Sequence, residues 1–265
     1  MSEKKEVPIV PAATVLICRD SVDGLEVFMV VRHHKIDFAS GALVFPGGKV
    51  EAEDQSLEFV DHVTGAEGLS DEERAFEIGA IRESFEECGV LLAREKDSGE
   101  YVSAERLSSF DHYRDELNNG HKGLLNMVKK ENLALATEDM HPYAHWVTPD
   151  MMPKRFDTRF YITRAPEDHV AMHDGSESVD SLWATPQRVM GEADEGKWTV
   201  IFPTRCNLEM LAEASSVEDA LERAKNRTIV TVRPTVDKTG DQPMLRIPVE
   251  AGYPVSETPV STIQR

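Results

Sequence analysis

Apolar residues fall in short runs separated by polar turns. Residues 12–18 form the first run and residues 24–32 the second, with an Asp-Gly pair in the polar stretch between them. Two strands joined by a turn are expected there. Residues 41–45 make a third apolar run. It is stopped by Pro46-Gly47-Gly48, where a missing N–H and two permissive glycines force a bend. Residues 49–70 are polar and acidic with little period and read as a loop or a weak helix. Ser70 and Glu73 then stand in capping-box relation. They predict a helix running to about Cys88, with Gly89 as its C-terminal cap.

Further along, residues 103–135 are polar, with Leu107, Phe110, Tyr113 and Leu117 at helical spacing, and read as mostly helical. Strand-like composition returns at 146–149, 160–163 and 179–183, a helix at 204–214, and short strands at 228–232 and 244–249. Alternating strands and helices predict a mixed α/β domain.

Composition narrows the class. Hydrophobic residues make up 40% of the 265, enough for a sizeable core. Asp and Glu number 48 against 29 Lys and Arg, a formal charge of -19. Such acidity speaks against non-specific binding of nucleic acid, which needs basic surface. It also poses a question: how would so acidic a protein hold an acidic ligand? Cys18, Cys88 and Cys206 are too few and too scattered for a disulfide framework and read as reduced thiols. No apolar run is long enough for a membrane span, and residues 1–7 lack the apolar centre of a signal peptide. A cytoplasmic location without membrane association is expected.

The densest chemistry lies on the helix ending at Cys88. Glu83, Glu86 and Glu87 stand at i, i+3 and i+4, so three carboxylates share one face. Ile78, Ile81, Phe85 and Cys88 occupy the opposite face. Like charges at this spacing weaken a helix unless a cation joins them. Hard oxygen ligands select Mg²⁺, Mn²⁺ or Ca²⁺ over Zn²⁺. The competing reading is a solvated acidic face. A plain calcium buffer would need an EF-hand loop spacing that is absent.

Arg82-Glu83-x-x-Glu86-Glu87-x-Gly89-Val90, preceded by Pro46-Gly47-Gly48, resembles the Nudix box of the Nudix hydrolases, G-x5-E-x7-R-E-U-x-E-E-x-G-U with U apolar. Three departures stand out. Arg82 follows Gly48 by 34 positions rather than 14, an insertion of 20 residues. Asp54 stands where the first Glu would be, and Ser84 replaces an apolar residue. A long insertion at this place resembles the branch that includes peroxisomal coenzyme A diphosphatases. The likeness continues through Trp146–Pro149, Arg155–Phe160, His173–Glu177 and Leu182-Trp183.

The resemblance implies an α/β/α sandwich of the Nudix type with a mixed sheet and a helical insertion. It places the domain at 8–215, the insertion at 98–145, and a C-terminal extension with short strands at 216–265. It further implies hydrolysis of a nucleoside diphosphate linked to another group, with Mg²⁺ or Mn²⁺ as cofactor. Glu86 and Glu87 are the implied metal ligands, and Glu83 a ligand or the base for water. Arg82 would orient the glutamates, and Glu177, from a downstream loop, would serve as base or extra ligand. Gly47 and Gly48 would shape the backbone. Arg32, Lys35 and Arg155 or Arg159 are the candidate phosphate contacts. Arg32, Lys35 and Gly41 ahead of Phe45 partly match an extra motif of coenzyme A-cleaving relatives, which makes coenzyme A or an acyl-coenzyme A a lead. His33 and His34 are adjacent, would face opposite sides of a strand and are expected to be exposed. A catalytically silent nucleotide-binding or regulatory module is the alternative. The insertion could cap the site or mediate a homodimer.

Overall fold

The computed structural model describes residues 7–32, 41–121, 123–173 and 178–262. Strands β1 (Ile9–Ser21) and β2 (Gly24–Arg32) form the expected hairpin, with Ser21 paired to Gly24 across a two-residue turn. β2 coincides with its apolar run, whereas β1 is longer than its own, because ladder hydrogen bonds continue past the last buried side chain. Strands β3 (Leu43–Val44) and β4 (Gly47–Lys49) pair with β2 and β1 respectively. The acidic stretch that follows is two 3₁₀ turns, Glu53–Gln55 and Leu57–His62, and the short β5 (Val63–Thr64).

Helix α1 (Asp71–Cys88) begins and ends as predicted. Ser70 and Glu73 exchange both capping-box hydrogen bonds, and Gly89 closes the helix in the left-handed conformation at φ +68°. After β6 (Ala93–Glu95) come the helices α2 (Ala104–Ser108), α3 (Asp111–Asn118) and α4 (Leu124–Lys130), within the segment expected to be an insertion. The helical reading of 103–135 and the insertion assigned to 98–145 are corrected at their C-terminal ends. Residues from 133 form β7 (Leu133–Ala136) and β8 (His141–Val147). All four side chains of β7 are buried, so no polar face remains to mark a strand by alternation. β7 lies between β5 and β6 in a small three-stranded sheet.

Then follow β9 (Arg155–Arg164), β10 (Ser178–Ala184), α5 (Pro186–Asp194) and α6 (Phe202–Leu211). Beyond residue 215 lie α7 (Val217–Lys225), β11 (Thr231–Val232), β12 (Thr235–Asp237), β13 (Met244–Arg246) and β14 (Glu257–Pro259). The main sheet runs β10-β2-β1-β9-β8-β11, with β3 and β4 attached. It is mixed: β1 and β9 are parallel, as are β8 and β11, whereas the other pairs are antiparallel. The last three strands make a third sheet.

Alternation along the central strands builds two cores. Ala13, Val15, Ile17, Phe28 and Val30 face α1 and the insertion, where Ile78, Ile81, Phe85 and Cys88 meet Leu91, Phe110 and Leu124. Leu16, Cys18, Val27 and Met29 face the other side, against Cys206 and Leu208 of α6 and Ala220 and Leu221 of α7. Helices therefore cover both faces of one mixed sheet, the expected sandwich. The segment beyond 215 packs into this second core through Val217, Leu245 and Ile247, and β11 adds a strand at the sheet edge.

Candidate active site

The bend after β3 brings backbone and α1 together. Gly47 has φ +154°, and a Cβ there would lie 2.3 Å from the Ala13 carbonyl oxygen. Only glycine lets β4 lie so close to β1. The Gly47 N–H donates to Glu87 Oε2 at 2.9 Å. At Gly48, a Cβ would sit 2.4 Å from Glu83 Oε1, so the missing side chain is the space the Glu83 carboxylate uses.

Arg82 gathers the remaining acids. Its Nη1 donates to Glu83 Oε1 at 3.0 Å and to Glu86 Oε2 at 3.2 Å. Its Nε reaches Asp54 Oδ1 at 3.1 Å, and Nη2 reaches Asp54 Oδ2 at 3.0 Å and the Lys49 carbonyl oxygen at 2.7 Å. Arg82 is 2% exposed, Asp54 1% and Glu87 5%. Asp54 Oδ2 also accepts from the Glu51 N–H at 2.8 Å. Gly79 gives Asp54 room, since a Cβ there would lie 3.0 Å from Oδ2. Ser84 is wholly buried, and its Oγ donates to the Ala80 carbonyl oxygen at 2.8 Å, which lets a hydroxyl occupy an apolar position.

The electrostatics follow from crowding. Burial pushes the Glu83 carboxyl well above the usual range against the pull of Arg82, and the charges of Glu87 and Glu86 push it further. Burial also raises Glu86 and Asp54, opposed in each case by Arg82. For Arg82 burial opposes the charge, but Glu83, Asp54 and Glu86 together outweigh it and raise its pKa. One turn nearer the N-terminus, burial and the neighbouring Glu73 push Glu77 up to about 8.

The carboxylates of Glu83, Glu86 and Glu87 are spread between Arg82 and the Gly47 N–H. Among the described residues, no group of three acidic, imidazole or thiol side chains is already drawn together as a metal site. The donor set still suits a hard divalent cation: carboxylate oxygens, buried or partly buried and mutually repelling, beside a glycine whose missing side chain leaves room for the Glu83 carboxylate.

Other sequence candidates fall differently. Arg32 ends β2 opposite Ser178, and its Nε is buried with no acceptor among the described residues. Arg159 is two strands from Gly48, through Ala13. It bonds Glu72 at 2.8 Å and lies 4.0 Å over the Phe76 ring. Arg155 is buried against Asp150 and the Thr148 carbonyl oxygen. Both are thus held by ion pairs. Lys35, Glu177, His33 and His34 lie outside the described residues.

Sequence reasoning missed two participants. Asp54 was seen only as a departure from the box, yet it is the buried partner of Arg82; an acid at the box's first-glutamate position was the available signal. Arg114, on α3, donates to the backbone of Glu86 and Glu87. Nothing local marks it among the polar residues of that helix.

A family model described as the NUDT19 Nudix domain matches residues 64–203, more than half of the chain and all of α1. The chain belongs to the Nudix hydrolase family. Among curated Nudix relatives, the human acyl-coenzyme A diphosphatase NUDT19 is 26% identical over an alignment of 203 positions, covering 62% of this chain and 54% of that protein. The enzyme of the same name from Xenopus laevis is 23% identical over 253 positions, covering 80% and 66%. The chain therefore spans little more than half to just under two thirds of these relatives. A Nudix hydrolase crystal structure from Alicyclobacillus acidocaldarius superposes with a TM-score of 0.70 at 24% identity, covering 82% of this chain and 96% of that one, and shows the same fold.

Proposed function

We propose that this Nudix protein is a metal-dependent diphosphatase that cleaves the P–O–P bridge of a nucleoside diphosphate linked to another group. Coenzyme A or an acyl-coenzyme A is the substrate class we favour. The observation that carries the reading is the trio of a buried Glu87 and the partly buried Glu83 and Glu86, gathered around Arg82 and the Gly47–Gly48 backbone. The acyl-coenzyme A diphosphatase activity for which the human and Xenopus relatives are named supports the substrate class.

Glu86 and Glu87 would hold Mg²⁺ or Mn²⁺, with Glu83 as a further ligand or as the base for water. When bound, such an ion neutralises the diphosphate and lowers the pKa of the attacking water. Arg82, fixed by Asp54, sets the directions of Glu83 and Glu86 and limits their repulsion before the ion arrives. Gly48 leaves the Glu83 carboxylate free to turn. Arg32 is our first choice for a phosphate contact, because its buried Nε has no described acceptor; Lys35, Arg159 and Glu177 complete the proposed set. An acidic protein would thus hold an acidic substrate through cations it collects itself.

Among the described residues no helix is long and apolar enough to cross a membrane. All three cysteines are free and buried. We place the protein in a reducing compartment, the cytoplasm, acting on a small molecule rather than nucleic acid, as a monomer or homodimer.

One observation favours a second reading. Glu83 and Glu86 are turned onto Arg82 and Glu87 onto a backbone N–H, an arrangement that a silent nucleotide-binding module could keep permanently. The test is a panel of coenzyme A, acyl-coenzyme A, ADP-ribose, nucleotide sugars and dinucleotides with Mg²⁺ or Mn²⁺, read by mass spectrometry of products. Two phosphorylated products from a coenzyme A ester support the proposal. Binding without cleavage across the panel supports the silent module.

A further inference from the structure

Arg114 joins the insertion to the end of α1. Its Nε donates to the Glu86 carbonyl oxygen at 2.8 Å, and its Nη2 to those of Glu87 at 2.9 Å and Met172 at 3.0 Å. The Met172 N–H donates in turn to the Cys88 carbonyl oxygen at 2.9 Å. Among the described residues, all three acceptors of the guanidinium are main-chain carbonyls. The last carbonyls of a helix lack intrahelical partners and carry the negative end of its dipole. A permanently charged, rigid fork of donors suits them better than any other side chain. The fit is close: a Cβ on Gly89, the C-terminal cap, would lie 3.2 Å from Arg114 Nη1.

The two residues held this way are the two implied metal ligands. Glu86 has its carbonyl on Arg114 and its carboxylate on Arg82. Glu87 has its carbonyl on Arg114 and its carboxylate on the Gly47 N–H. Each is therefore pinned at both ends. Met172 stands just ahead of residues 174–177, which include Glu177.

We propose that Arg114 is a positioning residue: it braces the last turn of α1, so that the insertion serves to hold Glu86 and Glu87 in place for a divalent cation. This rests on the metal-dependent reading above. Groups one step behind metal ligands set the orientation of those ligands, and their loss costs about 10–100-fold in metal affinity.

The test uses the whole chain and Mn²⁺ alone, with bound and free ion separated by electron paramagnetic resonance. Arg114→Ala and Arg114→Gln are compared with Arg106→Ala. Arg106 belongs to the same insertion but bonds Glu95 and Glu131 and not α1. Both Arg114 variants are expected to weaken Mn²⁺ binding about tenfold or more, with Arg106→Ala within about twofold of wild type. At saturating Mn²⁺, KM for the diphosphate should stay near the wild-type value. Should Arg114→Ala not fold, Arg114→Gln, which keeps a donor, carries the comparison. A folded Arg114 variant with wild-type Mn²⁺ affinity overturns the brace, and so does an equal loss in Arg106→Ala. A raised KM with unchanged metal affinity overturns it too, by putting the guanidinium on substrate. A wild-type chain that binds no Mn²⁺ removes the metal reading itself, a distinct result.

Discussion

Asp54 and Arg82, 28 residues apart, form a two-pronged ion pair in the interior, with Asp54 Oδ1 and Oδ2 accepting from Nε and Nη2 at 3.1 and 3.0 Å. Removing one partner of a buried pair leaves the other charge uncompensated. Asp54→Asn should therefore destabilise the fold by about 3 kcal/mol. Urea unfolding of the variant checks this; a change within error of zero would mean that Glu83 and Glu86 satisfy Arg82 unaided.

The two glycines of the bend should fail in different ways. A side chain at Gly47 meets the fixed backbone of Ala13 and Thr14, so Gly47→Ala should cost about 2 kcal/mol or more in stability. For a side chain at Gly48 the three nearest atoms all belong to the movable carboxylate of Glu83. Gly48→Ala should stay folded and lose about 100-fold in kcat/KM, the scale of an ångström's misplacement. Thermal melts and kinetics on both variants separate the two cases.

Glu77 gives a pH dependence away from the glutamate trio. Its pKa is pushed up to about 8 in the folded chain, from an ordinary value of 4.5. The folded state then binds more protons than the unfolded state between these values, so this residue makes stability fall as pH rises from about 4.5 to about 8. The slope from one group is at most about 1.4 kcal/mol per pH unit. Glu77→Gln should flatten that fall and make the variant more stable than wild type at pH 8. Denaturation midpoints at pH 5 and pH 8 test it; equal differences at both would contradict the buried, protonated state.

Much of this was legible in the sequence, and the reasons differ by element. Helix α1 could be read to the residue because Ser70, Glu73 and Gly89 act on their own neighbours. The β1–β2 hairpin was legible because its turn is local and its runs alternate between two cores. β7 was not, because burial of all four residues erases the period on which a strand assignment depends. The partnership of Asp54 with Arg82 was missed: the acid keeps the box's first-glutamate place ahead of the insertion, but a separation of 28 residues hides that the two meet. Arg114 could not be read at all. Its acceptors are main-chain carbonyls, which have no sequence signature, and the contact exists only once α3 has folded back against α1.

The central claim is that the glutamates of α1 carry metal-dependent cleavage. It is tested most directly by turnover of a coenzyme A ester with Mn²⁺, wild type against Glu87→Gln, with products weighed by mass spectrometry. The account predicts two phosphorylated products from the wild type and a loss of about 100-fold or more in kcat/KM for the variant, at least ~2.7 kcal/mol of transition-state stabilisation. Cleavage by Glu87→Gln at the wild-type rate would contradict it.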